Sequence, residues 1–157
     1  MMEPFAQPFT VVMIEDDPGH AALIRRNLQR GGVMNPITLL TTGTEAVDYF
    51  FPETGAAGSH IPDAHEPCVV MLDLNLPDID GFEILRRLKA DDRTRLIPVV
   101  VLTTTDHPKD IDRCYALGCN GFMTKPVGYE AFSDAIRKLG LMLTVVRVPH
   151  IPDNRHG

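Results

Sequence analysis

The sequence predicts an α/β fold built on a doubly wound, five-stranded parallel sheet. Short apolar runs recur along the chain, and helix-like segments lie between them. The runs are continuously apolar rather than alternating, which is typical of strands that are covered on both faces. Polar residues follow several of these runs, where the strands of such a sheet would end. Because parallel neighbours need crossover helices, the alternation indicates an α/β domain.

Five segments are predicted as strands because they are short, apolar and rich in residues that favour extended backbone. The strongest are FTVVMI at 9–14, CVVML at 68–72 and PVVVL at 98–102. Two weaker segments lie near 37–40 and 121–124. Together they make the five strands of the predicted sheet.

Helices are predicted between and after these strands. The first begins with Asp17 as N-cap and Pro18 at the first helical position, and Gly31 and Gly32 end it. Another follows Asp80 and has apolar residues at helical spacing, namely Phe82, Leu85 and Leu88. Three more are predicted at 44–51, 108–117 and 129–142.

Two segments lie outside this regular pattern. Residues 52–67 are long for a loop and rich in Gly, Ala and Pro, so we interpret them as a surface insertion. The domain is expected to span residues 9–143. The tail at 144–157 and the residues just before it carry more apolar side chains than a solvated tail needs, which is compatible with an interface. The alternative is that these side chains finish the last helix and cover the core.

Composition limits the possible functions. The chain has 157 residues, enough for one domain, with 44% hydrophobic residues, 23% charged residues and a formal net charge of −6. It contains no basic stripe and no long apolar span, so neither nucleic acid nor a membrane is an expected partner. The N-terminus does not resemble a secretory signal, and the cytoplasm is the expected location. Three cysteines without ligand-like pairing are interpreted as reduced thiols.

The residues that follow the apolar runs are acidic, hydroxylated or basic. Glu15 and Asp16 follow the first run, Asp73 follows the third, Thr103 the fourth and Lys125 the fifth. The carboxyl ends of parallel strands meet at one edge of the sheet, so these side chains are expected to lie close together. Any single one would more often be a cap or turn residue, but the combination of charges points to a site.

The combination favours phosphoryl chemistry. Crowded carboxylates repel one another and suit a hard divalent cation, and Asp16, Asp73 and one backbone carbonyl form a sufficient set for Mg²⁺. Lys125 can neutralise phosphate charge, and Thr103 can donate its hydroxyl to a phosphoryl oxygen after moving towards it. A carboxylate in this setting is equipped to attack phosphorus and form an aspartyl phosphate.

These residues resemble the receiver domain of two-component response regulators, over roughly residues 9–143. The resemblance implies a flavodoxin-like (βα)5 fold with strand order 2-1-3-4-5. It also implies that Asp73 is the phosphoacceptor, that Glu15 and Asp16 form the acid pocket, and that the backbone carbonyl of Asn75 completes the Mg²⁺ site. Thr103 and Phe122 would then be the switch pair, and a histidine kinase would be the phosphodonor.

A narrower resemblance is to the small response regulators that are paired with bacterial phytochromes. It is based on the opening EDDPGHAALIRRNL, the strand VVVLTTT, the long loop before the third strand and the lack of an output domain. It implies a bacteriophytochrome as the kinase and supports a homodimer formed through a C-terminal arm.

Two other functions compete with a stand-alone phosphorylation switch. A haloacid dehalogenase-like phosphatase also uses an Asp nucleophile and Mg²⁺, but it needs a second Asp two positions later as general acid, and this position is Asn75. A pseudo-receiver that only binds partners would not need the full set of acids, Thr and Lys. We therefore expect a signalling module rather than an enzyme.

Overall fold

The computed structural model describes residues 9–52 and 68–125, together with Glu130, Asp134 and Arg137. Strands and helices alternate through this part of the chain: β1 Thr10–Ile14, α1 Pro18–Arg30, β2 Ile37–Leu40, α2 Gly43–Phe50, β3 Cys68–Leu72, α3 Gly81–Ala90, β4 Val99–Thr103, α4 Pro108–Leu117 and β5 Gly121–Thr124. The five predicted strands are confirmed to within one residue at each end. The helices predicted at 44–51 and 108–117 are confirmed with the same accuracy.

The strands form one parallel sheet in the order β2-β1-β3-β4-β5. This is the predicted order 2-1-3-4-5. The chain moves outward from β1 to β2 and then returns to place β3 on the other side of β1. The crevice at the carboxyl ends of β1 and β3 is therefore a topological switch point, where ligands bind in open α/β sheets.

The three central strands, β1, β3 and β4, are buried on both faces, which explains their continuous hydrophobicity, whereas the edge strands β2 and β5 are mostly half-buried. Successive side chains point to opposite faces, so alternate residues enter two separate cores. One core packs Val12, Ile14, Val70 and Leu72 against α2, α3 and α4. The other packs Val11, Met13, Val69 and Met71 against Ala21, Ile24 and Leu28 of α1.

Two of the helices begin where the sequence predicts. The Asp17 carboxylate accepts hydrogen bonds from the backbone N–H groups of Gly19 and His20 at 2.8 and 3.0 Å, and Pro18 occupies the first turn of α1. The Asp80 carboxylate accepts from the Phe82 backbone N–H at 2.8 Å and starts α3. Both caps lie at the carboxyl edge of the sheet, so each helix leaves the rim in a direction that its cap helps to set.

Several predicted segments lie wholly or mostly outside the described residues. They are the insertion from residue 53 onward, the tail at 144–157 and most of the predicted helix at 129–142. Glu130, Asp134 and Arg137 of that helix are helical, and Arg137 pairs with Asp134 at 2.6 Å. Among the described helices, none has the length and apolarity needed to cross a membrane.

Candidate functional site

The main chain brings three strand ends together at the rim. The Glu15 backbone N–H donates to the Leu40 carbonyl of β2 at 2.9 Å, and that of Asp73 donates to the Ile14 carbonyl of β1 at 3.0 Å. The Lys125 backbone N–H donates to the Thr103 carbonyl of β4 at 2.6 Å. Each of these bonds extends the hydrogen bonding between two neighbouring strands by one residue. Side chains that are far apart in the sequence consequently meet in one pocket.

Three carboxylates form a cluster at this edge. Glu15, Asp16 and Asp73 each place one oxygen so that all three atoms lie within 4.8 Å of one another. Glu15 and Asp73 are buried, whereas Asp16 is exposed. The pKa of Glu15 is raised from its usual 4.5 to about 7, mainly by burial and also by the Asp73 charge, although the hydrogen bond from Lys125 lowers it. This cluster concentrates negative charge that a cation would relieve.

The donor set suits a hard divalent cation. All three side chains offer carboxylate oxygens, and hard cations such as Mg²⁺ prefer oxygen ligands and few carboxylates. Asp16 and Asn75 both line the same open cavity of about 480 Å³ beside the cluster. Asn75 is therefore next to the proposed ligands, and the role of its backbone carbonyl as a ligand stays a prediction.

Lys125 supplies the buried positive charge. Its Nζ donates to Asp73 Oδ2 at 3.1 Å and also to Glu15 Oε1. The side chains of Lys125, Glu15 and Asp73 are 3%, 2% and 7% exposed. A lysine this deeply buried needs negative partners to remain charged. The structure thus joins Lys125 directly to the predicted phosphoacceptor.

Thr103 lies at the end of β4 rather than just after it, and it is fully buried. The Asn75 side-chain amide donates to the hydroxyls of Thr103 and Thr104, both at 3.2 Å. The Asn75 backbone N–H donates to Asp73 Oδ1 at 3.0 Å. Asn75 therefore links the loop after β3 to the loop after β4, on either side of Asp73.

Phe122 lies in β5, and its backbone pairs with Val101. It is half-buried and packs against the core beneath α3 and α4, so the structure does not bring it into the acidic cluster. Its part in a switch pair with Thr103 stays a prediction. The structure joins Glu15, Asp16, Asp73 and Lys125, and places Asn75 and Thr103 beside them.

Sequence reasoning missed His20. This residue lies in the first turn of α1, and its Nδ1 is 3.1 Å from Lys125 Nζ. It is also 4.0 Å from Glu15 Oε1. Its position just after the Asp17 cap could have identified it from the sequence. The first turn of a helix that starts at the rim faces the ends of neighbouring strands.

Comparison with known proteins gives the same family as the residues do. The sequence matches the response regulator receiver domain over residues 11–137. The probable methanogenesis regulatory protein FilR2 of Methanothrix harundinacea is 36% identical over 132 residues, which cover 84% of this chain and 81% of that protein. The response regulator Rre1 of Synechocystis is 28% identical, and its match covers 85% of this chain but 52% of Rre1. The chain thus spans about half of this longer relative.

Solved structures are similar over almost the whole chain. A response regulator receiver domain from Rhodospirillum rubrum is 50% identical with a TM-score of 0.84, covering 92% of this chain and 99% of its own. The Mn²⁺-bound form of response regulator Rcp1 is 26% identical with a TM-score of 0.80, covering 90% and 99%. The phosphorylated cyanobacterial phytochrome response regulator RcpA is 29% identical with a TM-score of 0.78, covering 91% and 99%. Phytochrome-associated response regulators are therefore among its structural relatives.

Proposed function

The chain belongs to the response regulator receiver domain family, and we propose that it is a phosphorylation switch. Asp73 accepts a phosphoryl group from a partner histidine kinase, and the modified protein changes conformation. The chain is a signalling module that contributes chemistry to its own phosphorylation and dephosphorylation. The single observation that carries this proposal is the contact of Lys125 Nζ with Asp73 Oδ2, at 3.1 Å inside a cluster of three carboxylates.

The proposed transfer needs one nucleophile and neutralisation of the charge on the phosphoryl oxygens. An Asp73 carboxylate oxygen attacks phosphorus and forms the new P–O bond while the bond from phosphorus to the donor imidazole nitrogen breaks. The imidazole keeps that electron pair and takes up a proton from solvent. Lys125 stays beside the reacting carboxylate and faces the negative charge of the incoming group. The chain mainly positions these groups.

Mg²⁺ is the cation we propose for this site. Glu15, Asp16 and Asp73 would hold it through carboxylate oxygens, together with the Asn75 backbone carbonyl. The bound ion supplies charge neutralisation to the phosphoryl oxygens. Two observations support a divalent cation, namely the oxygen-only cluster in this chain and the Mn²⁺ in the structure of Rcp1.

The conformational response begins at Thr103 in this proposal. Its hydroxyl accepts a hydrogen bond from Asn75 in the present structure. A phosphoryl group on Asp73 offers oxygens to which this hydroxyl can donate, so Thr103 would move inward and draw the following loop with it. Phe122 on the neighbouring strand would then change its packing. The phosphoryl group thereby shifts a pre-existing equilibrium between two conformations.

The finer assignments rest on relatives and on the sequence. Similarity to phytochrome-associated regulators supports a bacteriophytochrome as the kinase. We keep the expected domain boundaries of 9–143 for the receiver and 144–157 for the tail, and the homodimer formed through that tail. A cytoplasmic location follows from the proposed kinase partnership. Sedimentation that shows a monomer at all concentrations, phosphorylated or not, would remove the dimer from this proposal.

The test is intact mass after incubation with acetyl phosphate and Mg²⁺, or with the cognate kinase and ATP. We expect the wild-type protein to gain one phosphoryl group and Asp73→Asn to gain none. Asp78→Asn is the matched control because it makes the same substitution in the same loop, and it should gain the group as the wild type does. No adduct with either donor, in a folded protein, would favour the pseudo-receiver. Continued release of phosphate from a small ester would favour the phosphatase.

A further inference from the structure

Within the described part of the chain, the ammonium group of Lys125 has three hydrogen-bond acceptors. They are Glu15 Oε1 at the end of β1, Asp73 Oδ2 at the end of β3, and His20 Nδ1 in α1. A lysine ammonium carries three N–H donors, so each donor has one acceptor. The direction of the flexible lysine side chain is therefore determined by three separate elements of the fold.

The contact determines the tautomer of His20. Lysine can only donate, so His20 Nδ1 accepts and the proton of the neutral ring is on Nε2. Nε2 is 3.9 Å from Asp17 Oδ2, and this negative charge favours a proton on that nitrogen. The His20 backbone N–H also donates to Asp17 Oδ1 at 3.0 Å. The helix cap thus holds the histidine in place, and the histidine holds the lysine.

The three acceptors differ in what else they do. Glu15 and Asp73 belong to the carboxylate cluster and would also bind the cation, whereas His20 is outside it. Carboxylate oxygens that turn towards a cation become weaker acceptors for Lys125, and Glu15 otherwise draws the ammonium away from Asp73. His20 is also the acceptor open to solvent, with a side chain that is 41% exposed. It can therefore hold Lys125 without competing for the metal.

We propose that His20 is a positioning residue of the phosphoryl-transfer site, which keeps Lys125 Nζ beside Asp73 while the other two acceptors serve the cation. This inference rests on the proposed function of Asp73. His20 does not touch the reacting atoms in this assignment, and it acts only through Lys125.

The first experiment compares His20→Leu with His20→Asn in the full chain. Leu retains the bulk without an acceptor, whereas the Asn side-chain oxygen can lie near the position of Nδ1 and accept from Lys125. At saturating Mg²⁺ we expect His20→Leu to be phosphorylated by acetyl phosphate about tenfold more slowly than the wild type, the loss of one hydrogen bond to a charged group. His20→Asn should return to within about threefold of the wild type.

Two controls separate positioning from other effects. Gln29→Leu places the same side chain on the exposed surface of α1 and should phosphorylate at the wild-type rate. The apparent Mg²⁺ affinity of His20→Leu should stay within about twofold of the wild type, because the histidine is not a ligand. A wild-type rate in His20→Leu, or a loss that is due entirely to weaker Mg²⁺ binding, would overturn the proposal.

A second measurement does not depend on phosphorylation. The ¹⁵N signal of the Lys125 ammonium reports whether its protons are held in hydrogen bonds and protected from exchange. We expect faster proton exchange in His20→Leu and near wild-type protection in His20→Asn. If no protein, including the wild type, gains a phosphoryl group, the proposed function fails, and the ¹⁵N signal alone then tests whether His20 holds Lys125. A signal that is the same in His20→Leu as in the wild type would show that His20 does not hold Lys125.

Discussion

Two aspartates in the loop after β3 have opposite environments. Asp78 is exposed and accepts from the backbone N–H groups of Gly43, Thr44 and Ile79 at 2.7, 2.8 and 2.9 Å, and from the Thr44 hydroxyl. The Thr44 hydroxyl, followed by these backbone donors, lowers the pKa of Asp78 far below its usual value. The carboxylate therefore caps α2 and is satisfied within the fold.

Asp73 is buried beside another carboxylate, and the two share Lys125. The same crowding contributes to the raised pKa of Glu15, for which burial is the main cause. The cluster around Asp73 thus holds three carboxylates beside one lysine, whereas the Asp78 carboxylate has both oxygens hydrogen-bonded by neutral donors. This difference indicates that the Asp78 carboxylate is structural, whereas the Asp73 carboxylate can bind a cation or a phosphoryl group.

The largest loss of stability is expected from substitution of the glycine that lies beside each aspartate, namely Gly81 beside Asp73 and Gly43 beside Asp78. A Cβ on Gly81 would lie 2.5 Å from Leu74 Cα and 2.7 Å from the Asp73 carbonyl oxygen, and one on Gly43 would lie 2.6 Å from Ile79 Cβ. Gly81→Ala and Gly43→Ala should each lower the free energy of unfolding by about 3 kcal/mol in urea titrations. Only Gly81→Ala should also slow phosphorylation, because it displaces Asp73.

Gly121→Ala is the control for these two variants. Among the residues that the structure describes, its added Cβ would meet only Val100 methyl groups at 3.8 Å, which is ordinary contact. We expect its free energy of unfolding to stay within about 1 kcal/mol of the wild type. Equal phosphorylation rates in the Gly81 and Gly43 variants would contradict the separation of the two aspartates.

The next largest effect is an increase in the free energy of unfolding, and it concerns Glu15. Its pKa of about 7 in the fold exceeds its usual 4.5, so the stability it contributes is complete below about pH 4.5 and is lost as the pH rises through 7. Glu15→Gln should remove this loss and raise the free energy of unfolding by roughly 2 kcal/mol at pH 8 in EDTA. The gain is smaller than the full pKa difference implies, since a neutral amide accepts more weakly from Lys125.

Urea titrations from pH 4 to 8, with EDTA or Mg²⁺, measure this difference. Mg²⁺ should stabilise the wild type more than Glu15→Gln, because the variant lacks one carboxylate ligand. A Glu15→Gln protein that is less stable than the wild type at pH 8 in EDTA would show that the acidic cluster is as well satisfied as Asp78.

Asp78→Asn is expected to have a smaller, destabilising effect. The pKa of Asp78 is lowered in the fold, so its contribution is present above its usual pKa of 3.8 and is lost as the pH falls below that value. At pH 7 the variant should melt a few degrees below the wild type, since an amide has one oxygen and its nitrogen cannot accept from the backbone donors of the second site. The difference in melting temperature between the two proteins should be constant from pH 7 to pH 5 and should begin to narrow between pH 4 and pH 3. A difference that stays constant down to pH 3 would contradict this prediction.

The smallest effect is expected for a contact that involves neither aspartate. The Arg113 guanidinium lies over the Phe82 ring at 4.1 Å from its centroid and joins α4 to α3. A double-mutant cycle with Arg113→Gln and Phe82→Leu should give a coupling of about 0.5 kcal/mol in the free energy of unfolding. A coupling above about 2 kcal/mol would mean that this surface pair matters as much as the buried charges.

The sequence by itself determined the elements and the composition of the rim. Continuous apolar runs can be satisfied only by strands buried on both faces, and the caps at Asp17 and Asp80 are local patterns of a few residues. The residues at the strand ends could therefore be named in advance, including Asp73, Lys125 and Thr103.

Only the tertiary structure decided which side chains meet around them. The contact of His20 with Lys125, the bonds from Asn75 to two threonines and the capping of α2 by Asp78 all join residues from different elements. Local periodicity carries no information about these contacts, because they depend on how each loop leaves its strand and which rotamer packing allows. The charged groups could thus be named from the sequence, while packing of the helices against the sheet decided which partners each charged group has in the fold.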